Sequence, residues 1–86
     1  MKKYTCPVCG WPELKEMPRS REGGGSYEIC PSCGFEFGVT DDDAGHSIGS
    51  WRAAWVARGM PWSSVGRKPP RGWDAAAQLR RVKRES

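Results

Sequence analysis

The chain has 86 residues, 37% hydrophobic and 28% charged, with four cysteines and a formal net charge of +4. That length fits one small domain with a tail, whose limited core calls for a staple. No stretch approaches the ~18 apolar residues of a membrane span. Met1-Lys2-Lys3 runs into Tyr4 and Cys6 with no apolar leader, so a cytoplasmic setting with reduced thiols is expected.

Taken in order, the chain opens on Cys6-Pro7-Val8-Cys9-Gly10, which returns in near copy as Cys30-Pro31-Ser32-Cys33-Gly34. Each knuckle offers two thiols from one tight turn, and the pair suits a single four-thiolate zinc site. The proline pre-bends the turn, and the glycine can take a positive φ that folds backbone N–H groups toward the sulfurs. Four such ligands fill a tetrahedron and leave no open position for catalysis, so the zinc is read as structural. Disulfides, with three pairings for four cysteines, and a redox pair are the alternatives.

Between the knuckles, residues 11–17 alternate imperfectly and Pro18 ends them, which suggests a short strand. The Gly-rich stretch 19–26 reads as a flexible loop, and residues 27–29 as a returning strand. Phe35, Phe37 and Val39 alternate cleanly on one face of a third strand. The implied architecture is a metal-stabilised α+β fold, a zinc ribbon with a three-stranded antiparallel sheet followed by one or two helices.

Asp41, Asp42 and Asp43 form an acidic loop in a stretch, 36–50, with four acids and no base. A helix over about 48–58 follows, with Ser47 or Ser50 as N-cap, Gly59 as stop, and Ile48, Trp51 and Trp55 as its apolar stripe. Residues 67–72 are a stiff basic connector, and Asp74 caps a second helix that is rich in alanine and arginine. The organisation is thus 1–66, a zinc-ribbon domain with a packed helix, and 67–86, a basic connector and C-terminal helix. The second helix carries little apolar area, so it docks weakly or docks on a partner.

His46 beside the aspartates is the one candidate for acid–base chemistry, but it lacks a placed nucleophile or pocket. Trp51 and Trp55 read as core, whereas Trp62 and Trp73 have the irregular settings of interface anchors. Arg80, Arg81 and Arg84 belong to a dense basic run suited to an anionic partner.

Tyr27-Glu28-Ile29-Cys30-Pro31-Ser32-Cys33, with Cys6, Pro7, Cys9, Gly10 and Trp11, resembles the small bacterial cysteine-rich CPCC-type proteins. The likeness covers about half the chain. This chain has Val8 where that family has a further cysteine, which agrees with a four-ligand count. The resemblance implies a zinc-ribbon fold and a bacterial source. The residues together point to a non-enzymatic zinc-binding adaptor, monomeric on its own, that binds a protein partner through Asp41, Asp42, Asp43, Trp62, Trp73, Arg80, Arg81 and Arg84. An immunity or antitoxin-like role fits this size. The alternative is nucleic-acid binding through the basic C-terminal segment.

Overall fold

Both knuckles close the same turn, as their sequences require. In the first, the Cys6 carbonyl accepts from the Gly10 N–H at 2.9 Å, and the Cys6 N–H donates to the Trp11 carbonyl at 2.7 Å. In the second, the Cys30 carbonyl accepts from Gly34 at 2.8 Å, and the Cys30 N–H donates to Phe35 at 3.0 Å. Gly10 and Gly34 hold φ at 88° and 82°, a region in which a Cβ would be strained. This computed structural model describes residues 3–20 and 23–85, with side chains described as far as Val82.

The three-stranded sheet expected from the alternation is not formed. Among the described residues there is no strand; three isolated antiparallel bridges join Tyr4 to Leu14, Arg19 to Gly25 and Ile29 to Glu36. The zinc-ribbon fold class is therefore corrected to two bridged knuckles covered by helices. The reasons are local. Pro12 offers no N–H. The Glu28 carboxylate takes the N–H groups of Lys15 and Glu16 at 3.0 and 2.9 Å, which a ladder would have used. Tyr27 sits at φ 63° and Gly38 at φ 103°, so the pairing of 27–30 with 35–37 cannot extend.

Helix α1 spans Ile48–Ala57. Ser47 and Ser50 cap it reciprocally, each hydroxyl accepting the other's N–H at 3.0 Å. It ends where Gly59, at φ 91°, donates to Val56 and Met60 donates to Trp55, the paired bonds of a Schellman ending. The expected stripe faces inward: Trp55 is fully buried, and Trp51 meets Phe35 edge-on at 5.9 Å.

Helix α2 spans Ala75–Glu85, with the Asp74 carboxylate accepting the Ala77 N–H at 3.0 Å. It is seated on the knuckles through Gln78 and Leu79, at 7% and 6% exposure, with Ala75 and Val82 against the core. Trp73 contacts Trp62 at 5.1 Å, and Trp62 contacts Trp11 at 5.2 Å, so an aromatic row links α2 to the first knuckle. Among the described residues, no helix is long and apolar enough to cross a membrane.

Candidate metal centre

The two knuckles face each other and bring Cys6, Cys9, Cys30 and Cys33 together. Their four sulfurs all lie within 4.8 Å of one another, and none of the residues exceeds 1% exposure. The Sγ of Cys6 is 3.8 Å from that of Cys33, and the Sγ of Cys9 is 3.6 Å from that of Cys30. A tetrahedron with metal–sulfur bonds of about 2.3 Å has edges of about 3.8 Å. The cysteines are free thiols, and these separations are far beyond the ~2.05 Å of a disulfide. The donor set is soft, four-fold and tetrahedral, so it fits a thiophilic divalent ion.

Electrostatics point the same way. Hydrogen bonds from Cys30, Cys33 and Cys6 draw the Cys9 thiol far below its ordinary range, against the cost of burial. Cys33 is pushed far up by its bonds to Cys30, Cys6 and Cys9 and by burial. Four thiols at this spacing cannot all ionise by themselves; a bound dication makes four thiolates compatible.

What encloses the centre comes from the other half of the chain. Two carbonyls per knuckle tip would otherwise seek solvent. Arg52 on α1 donates from Nε to Val8 at 2.8 Å and from Nη2 to Pro7 at 2.6 Å. Ser63 and Ser64 donate their N–H groups to the Pro31 carbonyl at 3.0 and 2.9 Å. Ser63 also reaches the Ser32 carbonyl at 3.2 Å. The carbonyls of the second cysteines are held too: the Trp51 indole donates to Cys33 at 3.0 Å, and the Gln78 amide to Cys9 at 3.0 Å. Sequence reasoning missed Arg52, Ser63 and Gln78, because a polar residue that reaches a distant carbonyl leaves no periodic signal.

The other candidate residues lie elsewhere. Asp41 and Asp42 pair with Arg19, whose Nη2 is 2.7 Å from Asp42 Oδ1. Asp41 also accepts the Gly38 N–H at 2.7 Å, so it is tied into its own turn, while Asp43 is exposed. The His46 ring packs edge-on against Trp51 at 5.1 Å. Trp62 and Trp73 are half-buried, with indole N–H groups donating to the Arg67 carbonyl and to Gln78 Oε1. Arg80 and Arg81 are exposed on α2; the side chain of Arg84 lies outside the described residues.

The chain is similar to two proteins of Bacillus subtilis (strain 168), both described as uncharacterized. It is 32% identical to YozI over 76 residues, which covers 69% of this chain and 61% of the relative. It is 43% identical to YoaQ over 42 residues, which covers 48% of this chain and 36% of the relative. The chain thus spans less than two thirds of the length of either. No family model matches it, and no solved structure matches it.

Proposed function

We propose that this is a non-enzymatic zinc protein whose metal is structural and whose surface serves as a protein-binding adaptor. The enclosure of the four sulfurs supports the first half. Each knuckle is sealed by donors from residues 51–78, so substrate has no approach to the centre. Zinc suits four thiolates in a tetrahedron because it is borderline-soft and redox-inert. Native mass spectrometry of the full chain should show one zinc and no disulfide; a metal-free folded protein would overturn the reading.

One observation favours the adaptor reading. A groove of about 710 Å³ runs between residues 26–31 and residues 63–67. Tyr27, Ile29 and Val65 line it, at 67%, 57% and 105% exposure. The bonds around Ile29 join Cys30 to Phe35 and Phe37 to Glu28, so the N–H and C=O of Ile29 itself point away from that pairing. An extended segment of a partner would find both an apolar wall and a free backbone edge there. Affinity capture with the full chain should yield a stoichiometric partner that an Ile29→Asp/Val65→Asp double variant loses while its thermal stability holds. Equal capture by the two proteins would refute the groove.

A second reading rests on Arg80 and Arg81, which are exposed and make no ion pair among the described residues. Polyanion binding through them should fall steeply with salt, and Arg80→Ala/Arg81→Ala should flatten that dependence. Absence of binding to generic DNA and RNA at low salt removes this reading.

A further inference from the structure

Gln78 occupies a position that a merely docked helix would not need. It is buried, and its amide spans the two knuckles, donating to the Cys9 carbonyl and to the Ser32 hydroxyl, each at 3.0 Å. Its own oxygen is fixed by the Trp73 indole at 2.9 Å. Cys9 belongs to one ligand pair, and Ser32 lies between the ligands of the other. Ser32 is itself fully buried. The one amide therefore ties the backbone of one ligand pair to the residue between the ligands of the other. The fit is close: a Cβ on Gly10 would lie 2.3 Å from the Gln78 carbonyl oxygen.

The two helices differ in how firmly they are held. Helix α1 contributes Trp55, fully buried, and two further donors to the knuckles. Helix α2 buries Gln78 and Leu79, but its apolar contacts, Ala75, Leu79 and Val82, are smaller than the Ile48, Trp51 and Trp55 of α1. An element that buries less apolar surface opens more often than the body it covers.

Resting on the metal reading above, we infer that α2 is the lid of the metal centre: the ion exchanges when Gln78 leaves the knuckles, and ion loss in turn frees the basic helix. Gln78 is the positioning residue in this scheme, acting through the Cys9 carbonyl and Ser32 without touching the ion. Coupling of this kind is reciprocal, so whatever loosens α2 speeds metal loss, and whatever removes metal loosens α2.

The test uses the full zinc-loaded chain, with transfer of zinc to a chromogenic chelator as the kinetic readout and hydrogen exchange of α2 amides as the structural one. Gln78→Leu keeps the volume and removes both donations. It should raise the transfer rate by about tenfold or more, the effect of about 1.4 kcal/mol of lost docking from two hydrogen bonds. Zinc stoichiometry and helix content should hold, and α2 exchange should accelerate. Val56→Ala, on the exposed side of α1, should leave the transfer rate at the wild-type value. An unchanged transfer rate in Gln78→Leu overturns the lid while leaving the zinc centre standing. Failure of the wild-type chain to bind zinc would instead sink the metal reading itself. Should Gln78→Leu not fold, the wild-type protein decides: α2 amides that open more slowly than zinc is transferred would equally overturn the lid.

Discussion

Arg52 offers the sharpest test of how the chain is joined to its knuckles. Its guanidinium makes two directed bonds, to Val8 at 2.8 Å and to Pro7 at 2.6 Å, across more than forty residues of sequence. Hydrogen bonds from a charged donor contribute ~1.5–3 kcal/mol each, and an acceptor left unpaired costs most where water cannot replace the donor. Arg52 is only half-buried, so water partly compensates, and the pair together is worth about 2–3 kcal/mol. Arg52→Met keeps the aliphatic stem and removes both donors. For a domain of this size each kcal/mol moves the midpoint by ~4–8 °C, so the zinc-loaded variant should melt about 10–20 °C lower. Arg52→Lys, which keeps the charge but loses the planar fork, should fall between the two. Arg58→Met serves as a control, since that guanidinium only approaches the Trp51 ring at 6.0 Å. The assay is thermal unfolding by tryptophan fluorescence at fixed excess zinc, because free metal itself raises the midpoint. A drop of less than about 2 °C in Arg52→Met would refute the argument that this fork holds α1 to the first knuckle.

Three further outcomes follow from the same contacts. Any one of Cys6, Cys9, Cys30 or Cys33 changed to serine should abolish stoichiometric zinc and cooperative unfolding together, read by native mass spectrometry and fluorescence; retained zinc in two or more of them would contradict a four-ligand centre. For Asp41, burial works to raise the carboxyl, but the Gly38 N–H, Arg19 and the Asp42 N–H outweigh it and hold it below the ordinary range. A depressed carboxylate contributes stability above its unfolded pKa near ~4 and loses it as pH falls through the folded value. Arg19→Ala should therefore lower the melting midpoint at pH 7 and have little effect once Asp41 is protonated; an equal drop at both ends would show that the pairing is not the cause. Gly10→Ala should be far more disruptive than Gly45→Ala, although both glycines have positive φ, because only Gly10 faces the Gln78 carbonyl; similar losses of stability would contradict the seating of α2.

The knuckles were legible because their chemistry is local. Proline after the first cysteine and glycine after the second dictate a turn whatever lies beyond it, and the two copies close the same hydrogen bonds. Both helices were legible for the same reason, since Ser47, Gly59 and Asp74 each cap within one turn. The sheet was misread because alternation reports burial on two sides but not who takes the backbone bonds. Phe35 and Phe37 do face the core, yet Glu28 intercepts two N–H groups and Tyr27 turns left-handed. The seating of α2 was hidden because its decisive contact is one glutamine. Its apolar content alone, Leu79 and Val82 with alanines, argues for weak docking.

The buried set explains why the candidate metal site and the fold are one problem. Eleven hydrophobic residues form the core among those described, and four of them are the cysteines themselves. The remaining seven, from Val8 to Leu79, are strung along segments that share no strand ladder. Phe35 and Trp11 are each fixed by the backbone bond that closes a knuckle. Trp51 and Gln78 reach the core by way of knuckle carbonyls. Separate the two knuckles and these side chains lose the surface they pack on, whatever their own hydrophobicity. In a chain of this length, with no sheet among the described residues to hold the halves in register, a four-thiolate ion would join the knuckles at their ligand atoms, where Trp51, Arg52 and Gln78 join them through carbonyls and Ser32. The donors that seal it are thus also the donors that attach each helix. Weakening an attachment should therefore show up at the metal, and removing the metal should show up at both helices.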